Sequence, residues 1–318
     1  MKIFYLASAA ALACALMTPA AVSAADAAKS ADISHHGLNP SDFPRWHQVV
    51  PNVYAYEDTL TTPDFTFTTN SLIIVTTDGV VLVDGQDHEE QGESLVKAIK
   101  EITQQPLKYV VIASDHGDHV NALPVVKAAY PDAIFVSSPA SLKTMTTLQR
   151  PILATDLVDE QKTLKLGSTE IQILNLGRGH TGGDLVVYLP EPKVMFLSEL
   201  YDRNIFPPMI TGYPTEWVAT LKKAQAMDVT WFIPGHGFTG GDAGTLRADL
   251  EDFTKAVELV VSEGKRLHAA GAACATEKDC PANAQANWGP YANSTAAAGQ
   301  APRALARAYA ELEGKLPN

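Results

Sequence analysis

Cysteine is scarce in this chain of 318 residues: there are three, and one of them, Cys14, sits in a leading segment unlike the rest. That leaves Cys274 and Cys280, close together in "CATEKDC", with no second pair to complete a thiolate metal site. In an exported protein such a pair favours a disulfide that pins a loop. Positive charge is also short. The formal net charge is −12 and no basic run offsets it, which argues against a nucleic-acid partner, since phosphate binding needs clustered Lys and Arg. Tandem repeats are lacking. The one leading apolar run, through Met17, is short for a bilayer span.

That run follows Lys2 and gives way to small residues at Val22-Ser23-Ala24. The pattern predicts a secretory signal over residues 1–24, cleaved before Ala25. The mature protein is then periplasmic or secreted, with no membrane attachment. An uncleaved anchor, or a lipid on Cys14, is the alternative.

Residues 25–47 are polar, small and proline-containing, and predict an extended arm in which His35, His36 and His47 are solvated. From there to residue 268 the text alternates between strand and helix signals. "NSLIIVTTDGVVLVDG" is two apolar runs around an Asp-Gly turn, a hairpin. "EEQGESLVKAIKEITQQ" has helical spacing at Leu95, Ile99 and Ile102. A long helix is predicted over about Thr245 to Leu267. Hairpins mixed with strand–helix units suggest an α+β fold of two sheets with helices packed outside. Residues 269–318 hold the cysteine pair and a helix with Leu305, Tyr309 and Leu312 on one face, read as an appended helix packed on the body.

Four short loops carry the chemistry, each after a predicted strand. They are "SDHGDH" (Ser114 to His119), "GRGHTGGD" with His180, "FLSELYDR" with Glu199, and "IPGHG" with His236. Strand ends can converge from distant positions. Imidazole and carboxylate are ligands that zinc prefers, and a catalytic zinc needs about three of them plus a water.

In that order, with Asp84 in "VLVDG" ahead of them, these motifs resemble the metallo-β-lactamase superfamily of binuclear metal hydrolases over about residues 50 to 265. The resemblance implies an αβ/βα four-layer sandwich with metals in a cleft at one edge of the sheets. It implies that His116 and His180 hold a first metal and that Asp118, His119 and His236 hold a second. Glu199 stands where many members have a bridging Asp, and Asp84 matches a structural carboxylate. The last glycines of "GHTGGD" are expected to let the backbone approach the metal loop closely. Ser114 stands where the family's first-metal histidine is expected. A neutral hydroxyl is a poor zinc ligand, so the first site is expected to be the weaker. Asp115 is the residue that could turn inward to compensate.

Zinc lowers the pKa of a bound water from about 15.7 to about 7, making hydroxide available at neutral pH. The expected reaction is hydrolysis of an acyl bond (lactam, lactone, ester or thioester) in a small molecule, with Asp118 orienting the nucleophile and taking its proton. No lysine follows Glu199 closely to hold a drug carboxylate, and Arg203 is the candidate for that part. Phe65, Phe67, Phe206 and Tyr213 are expected to line a partly apolar pocket, with Asp202 and Tyr201 as further lining residues. Three alternatives stay open: a β-lactamase proper, an iron-dependent redox enzyme built on two histidines and an aspartate, and a metal-binding accessory protein without turnover. Oligomeric state is not legible.

Overall fold

The computed structural model describes residues 29–317, so the predicted signal segment and the first residues of the arm lie outside the described residues. Strands β1 (Arg45–Val50), β2 (Val53–Thr61), β3 (Thr66–Thr76) and β4 (Gly79–Val83) make an antiparallel meander. Its last hairpin is the predicted one, with Gly79 at a φ of 140° that few other residues adopt. Three parallel strands follow: β5 (Leu107–Val111), β6 (Ile134–Ser137) and β7 (Asp156–Leu157). The connections hold helices α1 (Glu89–Ile102), α2 (Gly117–Val120), α3 (Leu123–Ala129) and α4 (Pro139–Thr147). These seven strands lie side by side in chain order.

The second sheet pairs β8 (Gln161–Leu166), β9 (Thr169–Leu174), β10 (Val186–Leu189) and β11 (Val194–Phe196) antiparallel. After α5 (Pro214–Ala226), β12 (Trp231–Ile233) joins β11 in parallel. Helices α6 (Ala243–Ala269) and α7 (Ala297–Leu312) complete the chain.

Side-chain alternation explains why β4 and the Leu72–Val75 half of β3 are apolar throughout. In β3 and β4, Leu72, Ile74, Val81 and Val83 face the second sheet's Ile171, Val187 and Phe196. Their neighbours Ile73, Val80 and Leu82 face α1 and α3 instead, packing with Leu95, Ile99 and Leu123. Both faces are covered along this stretch, which is why its side chains are apolar on both sides. The outer face of the second sheet packs against α5, α6 and α7. The result is the expected αβ/βα four-layer sandwich.

Two boundaries differ from expectation. Arg45, Trp46 and His47 belong to β1 rather than to the arm, because they pair with Glu57, Tyr56 and Ala55 of β2. The segment after residue 268 is not merely appended. Leu305 and Tyr309 share one buried core with Trp217, Leu250 and Leu267. Leu312, expected on that face, is 40% exposed near the helix end. Cys274 and Cys280 are joined as a disulfide. The described part of the arm docks on the same region, where Thr295 Oγ1 accepts from Ala31 N at 2.9 Å.

Candidate metal centre

The four loops leave β5, β9, β11 and β12 at the same edge of the sandwich, and their side chains meet there. His119 Nε2 lies 3.2 Å from His236 Nε2, and Asp118 Oδ2 lies 3.2 Å from the same His236 atom. On the other side His116 Nδ1 is 3.1 Å from His180 Nε2. Glu199 spans both groups: Oε2 is 2.9 Å from His116 Nδ1 and 3.4 Å from His180 Nε2, while Oε1 is 3.4 Å from His236 Nε2. Ligand-type atoms of Asp118, His119, His236 and Glu199 all fall within 4.8 Å of one another, as do those of His116, His180 and Glu199. Four imidazoles and two carboxylates converging at such range fit a nitrogen- and oxygen-bound metal.

Backbone and buried polar groups aim these donors. Asp84 takes φ 59° at the end of β4. Its Oδ1 accepts from Ala113 N at 2.7 Å, and its Oδ2 accepts from Ser198 Oγ at 2.5 Å and lies 3.0 Å from His119 Nδ1. One carboxylate thus ties the His116–His119 loop to the Glu199 loop. His236 Nδ1 is 3.0 Å from the Thr68 carbonyl, which leaves Nε2 for the centre. Gly235 lets the His236 loop lie directly on the Glu199 turn, since a Cβ there would stand 2.4 Å from the Ser198 carbonyl carbon.

Charge follows the geometry. Burial opposes the His116 cation, but Glu199 beside it prevails and pushes its pKa up to about 10. Burial likewise pushes Glu199 up, yet His116 and His180 hold it well below the usual carboxylate range. Asp118 is brought down to about 2: burial raises it, and His119 and His236 lower it further than that. His180 goes down to about 3, chiefly by burial. Asp202, deeply buried, is pushed up to about 8.

A sequence profile of the metallo-beta-lactamase superfamily matches residues 65–236, which takes in every one of these groups. The chain belongs to the metallo-beta-lactamase superfamily. It is, with that family, a metal-dependent hydrolase. It is 24% identical over 187 residues to a metallo-beta-lactamase type 2 of Bacillus sp. (strain 170), covering 57% of this chain and 71% of that one. It is 28% identical over 179 residues to metallo-beta-lactamase IND-1 of Chryseobacterium indologenes, covering 54% and 72%. A solved metallo-beta-lactamase from Pontibacter korlensis superposes with a TM-score of 0.61 at 21% identity, covering 67% of this chain and 99% of its own.

A cavity of about 400 Å³ opens over this metallo-beta-lactamase-type centre. Phe65 and Phe67 line it as expected, and Phe67 stands edge-on to His236 with ring centroids 5.2 Å apart. Four other expected lining residues do not. Arg203 is turned away, donating from Nη1 to the carbonyls of Phe238 and Gly240 at 2.7 and 2.6 Å and from Nε to Asp249 at 2.8 Å. Those bonds brace the loop beyond His236, so its charge does not face the cavity. Phe206 is buried edge-on to Trp288. Tyr213 is buried with its ring under the Arg178 guanidinium, 4.1 Å from the centroid. Tyr201 is also core, against Phe253.

Ser114 Oγ reaches Glu199 Oε2 at 2.5 Å. Asp115 does not turn inward: it is buried on the side of Ser141 and Thr144 and belongs to neither ligand group. The close approach at "GHTGGD" is real but elsewhere. A Cβ on Gly183 would meet Ser141 Oγ at 2.4 Å, at the start of α4 rather than at the metal loop.

Two kinds of residue escaped sequence reading. Asn70, in the buried polar run Thr68–Ser71 of β3, donates from Nδ2 to the carbonyls of Pro234 and Gly237 at 3.0 and 2.7 Å, fixing the His236 loop. Four polar residues in a row directly ahead of the apolar Leu72–Val75 are the signal that could have marked it. Ala296 and Gln300 reach the cavity from the C-terminal segment, and nothing in their local sequence points there.

Proposed function

We propose that this protein is an exported zinc-dependent hydrolase that cleaves an acyl bond of a small molecule. The observation carrying the reading is the Glu199 carboxylate shared between two histidine groups at the floor of one cavity. Asp118, His119 and His236 would hold one zinc, and His116 and His180 the other, with Glu199 available to both. Zinc bound there would supply Lewis acidity and acidify water toward neutral pH. Asp118 is held ionised by its histidine neighbours, so its carboxylate is poised to orient a water and take a proton from it. Leu60, Phe65, Phe67, Ile205, Pro208 and Ile210 wall the cavity with apolar surface that seats the substrate and excludes bulk water.

Among the described residues, neither lysine nor arginine lines the cavity. That disfavours a substrate gripped by its own carboxylate, as many β-lactam drugs would need to be, and favours a lactone, ester, thioester or uncharged lactam.

Metal analysis of the mature protein purified without added metal, followed by a screen of lactams, lactones, esters and thioesters with and without chelator, tests the reading. Zinc and chelator-sensitive hydrolysis are expected. Iron with a redox-active centre, or tight zinc with no turnover on any of these classes, would overturn it.

A further inference from the structure

Asp202 is the anomaly of the cavity. It lines the wall and is fully buried, yet neither carboxylate oxygen has a hydrogen-bond partner among the described residues. The other carboxylates nearby are all engaged: Asp118 with His236, Glu199 with His116 and Ser114, and Asp84 with Ser198. Nor does Asp202 belong to either group of converging metal-ligand atoms. Its place is nonetheless fixed, because Arg203 N donates to the His236 carbonyl at 3.0 Å, and Asp202 is bridged to His236 along the backbone.

A buried acid left without a partner is costly to keep, and folded chains normally supply one; burial favours its neutral form, and a cation beside it would favour the ionised one. Here the protein supplies none, and the carboxylate borders an open space, so the donor has to come from what enters that space. Gln300 Oε1 borders the same cavity and is likewise buried without a partner. It adds an amide that can present oxygen to a donor. Among the described residues no lysine or arginine stands on the walls to pair with these acceptors.

We propose that Asp202, assisted by Gln300, is a specificity-determining subsite that binds an ammonium group on the non-reacting end of the substrate. The inference rests on the hydrolase reading above and narrows it to cationic, amine-bearing acyl compounds. It also gives the C-terminal segment a part in substrate selection, since Gln300 lies on α7, outside the matched family region.

Calorimetric titration of the zinc-loaded protein with three small thiols tests this: cysteamine (ammonium), propanethiol (neutral) and mercaptopropionate (carboxylate). Each thiol can anchor on zinc, and the other end then probes Asp202. The preference for cysteamine over mercaptopropionate is expected to fall about tenfold in Asp202→Asn, the size of one hydrogen bond to a charged group. Comparing the same thiols across two proteins cancels their different acidities. Zinc content is expected to stay the same in the variant. Gln300→Lys, which supplies the subsite with its own cation and leaves the Asp202 side chain in place, is expected to shift the order toward mercaptopropionate. An unchanged preference in Asp202→Asn, or loss of a zinc ion from it, overturns the proposal alone. No zinc-dependent binding of any thiol overturns the hydrolase reading, and this one with it.

Discussion

The Ser114 hydroxyl donates to Glu199 Oε2 at 2.5 Å, and that oxygen is the one 2.9 Å from His116 Nδ1. The serine therefore holds a ligand-type carboxylate in place of acting as a ligand itself. Glu199, longer than Asp by one methylene, reaches across to the two-histidine group that a missing imidazole would otherwise leave short. Removing the hydroxyl should loosen the carboxylate at that group. Ser114→Ala is expected to weaken metal there by about tenfold, in the range found for partners of ligands, and to leave the Asp118–His119–His236 group loaded. Ser114→His should raise the metal count toward two per chain. Metal analysis after dialysis against dilute chelator checks both, and equal metal content in all three proteins would rule the idea out.

Metal uptake should release protons. In the metal-free protein His116 is pushed up to about 10 by Glu199, whose charge prevails over burial, and His119 and His236 are also raised. At pH 8 His116 therefore carries a proton, and a metal accepts only the neutral ring. Binding therefore expels at least about one proton, and apparent affinity rises with pH toward 10. Zinc titrations in two buffers of different ionisation enthalpy count the protons. Glu199→Gln, which takes away the charge holding His116 up, is expected to reduce the count.

Gly235 should tolerate no side chain. Its Cβ would sit 2.4 and 2.5 Å from the carbonyl carbon and oxygen of Ser198, backbone atoms that cannot swing aside. Gly235→Ala must push the His236 loop off the Glu199 turn. A cost of about 1–3 kcal/mol is expected, with loss of metal from the group that includes His236. Gly240→Ala on the same loop meets nothing within 4 Å and serves as the control. Comparable melting temperatures for the two variants would contradict the packing argument.

The fold and the loops of the centre were legible because each rests on local pattern. The Asp78-Gly79 hairpin, the apolar strands and the strand-then-histidine spacing of His116, His180 and His236 are all written within short windows. Cavity walls are not. Phe206 and Tyr213 are aromatics on a loop beside Glu199, but Trp288 and Arg178 lie far off in sequence and draw them into the core. Arg203 turns from the cavity for a similar reason, since the Phe238 and Gly240 carbonyls and Asp249 all engage its guanidinium. Gln300 reaches the cavity only through the packing of α7 on α6, which no spacing rule encodes.

That packing gives the last prediction. Had the C-terminal segment been a mere appendage, a chain ending at Ala269 would fold alone. Instead Leu305, Ala304 and Tyr309 are buried among Trp217, Leu250, Val257 and Leu267, and Tyr309 Oη donates to the Ala272 carbonyl at 2.9 Å. Ala308 approaches so closely that a Cβ on Gly264 would stand 2.7 Å from its own. Leu305→Ala is expected to cost about 2–5 kcal/mol, as buried leucines do, and to lower the melting temperature by several degrees at about 2–4 °C per kcal/mol for a domain of this size. The chain ending at Ala269 exposes the whole outer face of α6 and is expected to bind a hydrophobic dye and aggregate. If it melts within a few degrees of the full chain, the shared core contributes little and the segment is an appendage after all.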